Sequence, residues 1–143
     1  MFTAHFAILL TMLVAPALQD SAKLEGKWIC VKAERDGQST DAPIGSTIEF
    51  KEGKVTIRES KAETAENGTF KVDDSKSPKH LTLFPEDPGK AGAKEFLCVY
   101  EIKDGQLSIC MSGPGADRPT EVSTSPDSMR MLLTFKADPT AAK

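Results

Sequence analysis

Past residue 17 the chain offers little that could do covalent chemistry: one histidine, His80, and three cysteines, Cys30, Cys98 and Cys110. His80 alternates with Leu81 and Leu83, so a strand there turns it to the outer face. General acid–base or metal chemistry needs partners within reach, and no second ligand stands beside it. The paired acids Asp73-Asp74 and Glu86-Asp87 lie in turn-forming surroundings. A glycosidase needs two carboxylates held across a cleft, whereas adjacent acids on turns are ordinarily solvated. No GxGxxG, GxxxxGK[ST], HExxH, GxSxG or CxxC pattern is present. The sequence therefore predicts no catalytic residue, no metal and no cofactor. Asn67-Gly68-Thr69 fits a glycosylation sequon and is read as chance. The most distinctive polar group is Arg118-Pro119-Thr120-Glu121, in a long loop rich in Gly, Pro, Ser and Thr. Arg118 and Glu121 either contact a ligand or tie that loop down. The tie is favoured, because a loop this long needs internal anchorage.

Positioning falls to strands. Phe96 to Met111 reads as a hairpin about a two-residue turn, Asp104-Gly105, since a type I′ turn requires positive φ at both central residues. Pairing outward sets Ile102 against Leu107, Tyr100 against Ile109 and Cys98 against Met111. That face is apolar. The other carries Glu101, Lys103, Gln106 and Ser108, with Val99 and Cys110 among them. A second hairpin turns at Glu52-Gly53, between Ile48/Phe50 and Val55/Ile57. Strands also fit 24–34, 68–73, 80–84 and 129–136, with 118–123 as a short extra one. Residues 61–66 lack an apolar stripe and read as loop. The result is eight strands and no helix. Tight turns alternate with long loops along the chain. In an up-and-down barrel alternate connections share an end, so one end is closed by turns and the other carries every long loop.

Phe6 to Val14 is an apolar run followed by Ala15-Pro16-Ala17, the pattern of a secretory signal peptide cleaved after residue 17. The run is too short for a bilayer span. Residues 18–143 then form one domain, with the barrel over about 24–136 and a frayed tail at 137–143. Lys and Arg total 18 against 21 Asp and Glu, a net charge of −3 of mixed sign, which argues against a nucleic-acid surface. The expected place is the periplasm or the extracellular space, with a mature form that does not span a membrane. Three cysteines allow one disulfide and a free thiol, or three buried thiols. Cys98 and Cys110 point to opposite faces of their hairpin and make poor partners. A pairing of Cys30 stays open, and buried thiols are the favoured reading.

Gly26-x-Trp28, at the start of the first of eight meander strands, resembles the Gly-x-Trp signature of lipocalins. A wider resemblance covers nearly the whole of 18–143. Its stretches are Leu24-Glu25-Gly26-Lys27-Trp28, Glu34-Arg35-Asp36-Gly37, Gly68-Thr69-Phe70-Lys71-Val72-Asp73, Ser77-Pro78-Lys79, Val99-Tyr100-Glu101-Ile102, Leu107-Ser108-Ile109-Cys110 and Arg118-Pro119-Thr120-Glu121. On these the chain is similar to a family of small exported lipocalin-like proteins of planctomycete bacteria. It departs from that family at Thr82, where an Asp is usual, and at Cys30 and Cys98. The resemblance implies an all-β, eight-stranded antiparallel up-and-down barrel and export. It also implies that Trp28 closes the narrow end under a basic residue from the last strand, here Lys136 ahead of Arg130.

The inward residues decide whether such a cup is hollow. Ile29, Val31, Ile48, Phe50, Val55, Ile57, Phe70, Leu81, Leu83, Tyr100, Ile109 and Leu133 are large. An eight-stranded barrel is just wide enough for side chains or one small ligand. A mostly packed interior with a small pocket at the mouth follows. The leading expectation is a non-enzymatic binder of a small, partly apolar ligand at that mouth, with Tyr100, Met111, Arg118 and Glu121 as candidate contacts. The alternative is an interaction module whose open-end loops grip a protein or an envelope polymer, with the barrel as scaffold.

Overall fold

Three acid–glycine pairs set the turns. Asp36-Gly37, Glu52-Gly53 and Asp104-Gly105 all have positive φ at both positions, from 50° to 81°. This is the backbone that matches the right-handed twist of paired strands. The computed structural model describes residues 23–138, so the signal-peptide reading of 1–17 and the tail beyond Asp138 lie outside the described residues. The strands are β1 (Gly26–Arg35), β2 (Gln38–Ser39), β3 (Thr47–Lys51), β4 (Lys54–Arg58), β5 (Glu66–Asp73), β6 (Lys79–Pro85), β7 (Phe96–Lys103), β8 (Gln106–Ser112) and β9 (Arg130–Ala137). Each pairs antiparallel with its neighbour in sequence, except that β2 is a two-residue extension folded back on β1, and β3 pairs with β1. β9 returns to pair with β1 over Trp28 to Arg35 and closes an eight-stranded barrel. The β7–β8 hairpin has the register read from the sequence: Ile102 opposite Leu107, Tyr100 opposite Ile109, Cys98 opposite Met111. Residues 118–123, expected to add a short strand, form none. A short helix, Pro88–Ala91, is capped by the Asp87 side chain accepting from the Lys90 amide.

The two ends differ as the loop lengths predict. Glu52-Gly53, Asp104-Gly105 and residues 74–78 close one end. Residues 40–46, 59–65, 86–95 and 113–129 all leave from the other. At the closed end Leu24 is fully buried in the core, and its carbonyl accepts a hydrogen bond of 2.9 Å from the Trp28 indole. The Glu25 carboxylate accepts from the Glu52 amide at 2.8 Å, which ties the entry segment to the β3–β4 turn. Above this plug, Phe50 meets Phe70 edge-on at 4.9 Å, with Val55, Leu81, Tyr100 and Leu107 packed around them.

One strand departs from the alternation expected of it. Simple alternation places Ile29 and Val31 inward; instead Trp28, Cys30 and Ala33 are buried, and Val31 is 36% exposed. The pairing to β9 shifts between Cys30 and Lys32 and leaves Val31 as an extra residue. A β-bulge of this kind re-phases a strand. Both faces of β1 are apolar in sequence, so composition alone does not choose between the phases. All three cysteines are buried free thiols.

Two outcomes follow. Leu24→Ala should lower stability by about 2–5 kcal/mol, the range for a buried leucine truncation, and red-shift Trp28 emission; urea titration followed by fluorescence reads both. Burial pushes the Cys98 thiol up to about 12, against some lowering by nearby Arg118. The folded state thus holds the neutral thiol while an unfolded chain ionises it near 9.0. The associated stability is intact below pH 9 and is lost on rising toward pH 12, by at most about 1.4 kcal/mol per pH unit. In Cys98→Ala the alkaline slope of stability should be shallower, whatever its level at neutral pH.

Candidate functional site

The open half of the barrel is hollow. A cavity of about 330 Å³ lies among Ile48, Ile57, Leu83, Ile109, Leu133 and Phe135, with Met111 and Met131 higher on the wall. Arg35, Ser46, Thr47, Glu59 and Ser60 supply its polar lining. Its volume falls at the lower end of small-molecule pockets, whose lining is likewise apolar with a few polar groups. Small residues of β1 leave the space. Cys30 enters the lining in the phase of Trp28, and the slip after it turns Ala33 and Arg35 inward in place of Lys32 and Glu34. Cys30 donates to the Lys32 carbonyl at 3.4 Å, and burial pushes its thiol up despite that carbonyl's neighbourhood. Burial thus favours the neutral thiol in the cavity wall. The loops over the rim hold each other: the Ser60 amide donates to Ser46 Oγ at 3.3 Å, and Gly45, at φ 91°, lies where a side chain would press on Ser60.

Of the four candidate contacts only Met111 lines this cavity. Tyr100 faces inward but is 1% exposed in the packed lower half, too deep to reach the mouth. Arg118 and Glu121 are not at the mouth, because residues 113–129 do not stay there. That loop folds down the outer wall as a strap. The Arg118 guanidinium donates to the Leu81 carbonyl at 2.9 Å, the Cys98 carbonyl at 2.6 Å and Thr82 Oγ1 at 2.7 Å. Ser112 Oγ donates to the Asp117 carbonyl, Pro119 is buried, and Cys110 Sγ donates to the Ser123 carbonyl at 3.4 Å. The Gly37 amide then donates to Thr124 Oγ1 at 3.0 Å, which returns the strap to the open end. Beneath it, Val99 and Cys110 are fully buried, opposite one another on the face that would otherwise be wet. Their pairing is the sequence signal for the strap. Glu121 is exposed and accepts from Ser123 Oγ at 3.2 Å. The Arg118 contacts tie this segment to β6 and β7, while Glu121 bonds within its own loop.

Lys136 does not cover Trp28. It lies in register with Ile29 and projects outward from β9, while Trp28 points in, opposite Ala137. Period-two alternation separates them onto opposite faces. The cation–ring contact among the described residues is Lys71 over Phe84, at 5.7 Å. His80 is on the outer wall, in register with Asp73 and Val99, as its alternation predicts. Burial lowers its pKa, with Arg118 adding to the effect and Asp73 opposing it. No group of three or more His, Cys, Asp or Glu able to hold a metal occurs among the described residues. Among them, too, no helix is long and apolar enough to cross a membrane.

No family model matches the chain, and neither a curated protein nor a solved structure does. The class is defined by the architecture itself: a closed, eight-stranded antiparallel up-and-down barrel of the lipocalin-like kind, plugged at one end and hollow at the other.

Removing the anchor should release the strap without opening the barrel. A hydrogen bond to a charged donor contributes about 1.5–3 kcal/mol, and Arg118→Ala is expected to cost about that much. Hydrogen exchange should rise over 113–129 and stay low in β3 to β5. Cys110 should become reactive to iodoacetamide while Cys98 stays protected.

Proposed function

We propose that this chain is an exported, non-enzymatic lipocalin-like protein that binds a small, partly apolar molecule at the mouth of its barrel. The observation that carries the reading is the 330 Å³ cavity, apolar in its depth and polar at its rim, at the end where no plug stands. The apolar run at 6–14 with Ala15-Pro16-Ala17 supports export. The likeness to the planctomycete family points the same way. A binding role agrees with the chemistry of the lining: Cys30 is held neutral, and His80, the one histidine among the described residues, is on the outer wall. The alternative, a surface built on the open-end loops, loses its largest element. Arg118 and Pro119 commit the longest loop to the barrel's own wall.

The test uses Cys30 as a reporter inside the cavity. An environment-sensitive apolar dye should bind the native protein, and bound dye should slow alkylation of Cys30 by a small neutral reagent, read by peptide mass. Cys30→Leu, which fills the space, should weaken dye binding at least tenfold while the melting temperature holds or rises. A native protein that binds no dye would sink the proposal, as would a Cys30→Leu variant that binds it as well as the parent.

A further inference from the structure

The methionines past residue 17 converge on one place. Of the five in the chain, Met1 and Met12 fall in the segment read as a signal peptide. Met111, Met129 and Met131 all line a groove of about 380 Å³ over the rim of β8 and β9, beside the barrel cavity. Met111 and Met131 are directly opposed across the two strands. Opposed residues of an antiparallel pair hold their Cβ atoms about 4.5–5.5 Å apart on one face, within reach of two long side chains. Met129 joins them one step further out. Its carbonyl accepts from the Gly113 amide at 3.0 Å, and its methyl carbon lies 3.9 Å from where a Cβ on Gly113 would stand. Gly113 follows Met111 by two residues, so it is the next position on Met111's side of the chain, about 7 Å along. Three thioethers thus hold three corners of a small square, and the fourth corner is a glycine with no side chain to fill the middle. Packing alone does not account for the third: Met129 is 67% exposed, the most of any large apolar side chain described.

We propose that Met111, Met129 and Met131 form a thioether site for a soft monovalent cation, Cu(I). This goes beyond the mouth-binding reading and stands apart from it. Soft sulfur ligands select Cu(I) over the harder divalent ions. The unbranched methionine side chain turns about three bonds, so three sulfurs can be brought to one ion at little steric cost. Charge points the same way as softness. Arg35 and Arg130 line the groove against Asp36. Thioethers are neutral and offset none of an incoming ion's charge, so a divalent ion meets about twice the repulsion that a monovalent one does. A thioether also takes up no proton, so this site does not compete with protons for its ligands as a thiolate or imidazole site does. The exposed Met129 gives the ion its way in, and the opposed pair behind it is the fixed part of the site.

The test is silver binding read at the methionines themselves, since Ag(I) shares the charge and softness of Cu(I) and is stable in air. The full chain, labelled with carbon-13 at its methionine methyls, is titrated with silver nitrate, and the signals are assigned by single Met→Leu variants. The signals of Met111, Met129 and Met131 should shift together in one transition while those of Met1 and Met12 stay in place. Zn(II) at the same concentration should move none of them. Met129→Leu, at an exposed position, should weaken the silver affinity read at Met111 and Met131 at least tenfold. Thiols also take silver, and Cys30 lies in the neighbouring cavity, so the titration is repeated on Cys30→Ala, where the three signals should still move. A shift that leaves Met129 out overturns the site. So does a shift that is lost in Cys30→Ala, an affinity unchanged in Met129→Leu, or an equal response to Zn(II). The titration of the parent protein is decisive even where a variant fails to fold.

Discussion

Everything in this molecule depends on β9 closing onto β1, and that closure is irregular at one residue. The register slips between Cys30 and Lys32, with Val31 left over. An open eight-stranded sheet would expose two rows of unpaired amides and carbonyls; closure removes them. The slip has a second effect. Below it β1 sends in Trp28, the largest side chain of the strand. Cys30 follows in the same phase, and above the slip come Ala33 and then Arg35 at the rim. One strand therefore supplies a bulky residue where the barrel is plugged and small ones where it is hollow. The cavity depends on which face of β1 looks in, and the bulge sets that face from Lys32 to the rim.

The closed end is held by the entry segment as well as by the turns. Leu24 gives its side chain to the core and its carbonyl to the Trp28 indole, so a large aromatic is buried without leaving its N–H unmatched. Glu25 satisfies the turn amide of Glu52, and Asp138 donates its amide to the Lys27 carbonyl at 2.8 Å. Both ends of the described chain thus meet on the same strand. A lysine stacked on the indole from outside is unnecessary where the indole already has a partner within.

The architecture was legible in the sequence because it is written in two redundant codes. Alternation gave the faces of β3 to β8, and the spacing of acid–glycine turns against long loops gave the two ends of the barrel. What was not legible falls where those codes are silent. Alternation cannot choose the phase of a strand such as β1 whose two faces are both apolar, nor locate a bulge in it, and so it places Ile29 and Val31 inward where Trp28 and Cys30 look in. It cannot tell a residue near the mouth from one at depth, and so gives Tyr100 and Met111 equal standing as wall residues. Loop length gives where a loop starts and not where it goes. The destination of Arg118 was nevertheless encoded: Val99 and Cys110 face each other on a side otherwise made of Glu, Lys, Gln and Ser, and an apolar pair on a wet face needs a cover. A turn aspartate such as Asp36 ordinarily meets water; only the fold shows one of its oxygens shut away from it.

The strap also explains why the mouth is open. Four connections leave the barrel at that end, and the longest of them could reach across the opening as a lid. Three hydrogen bonds from Arg118 to β6 and β7 hold it against the outer wall instead, and Pro119 and Ser123 seat it over Val99 and Cys110. The burial of that outer pair and the freedom of the mouth are one arrangement seen from two sides. A loop spent on covering the wall is not available to cover the cavity. The rim is then left to shorter segments, 40–46 and 59–65, and to the turn that carries Arg35 and Asp36. The side chains that first meet an entering molecule are for this reason charged ones held by short, well-bonded turns, and the apolar depth behind them is reached only past those charges.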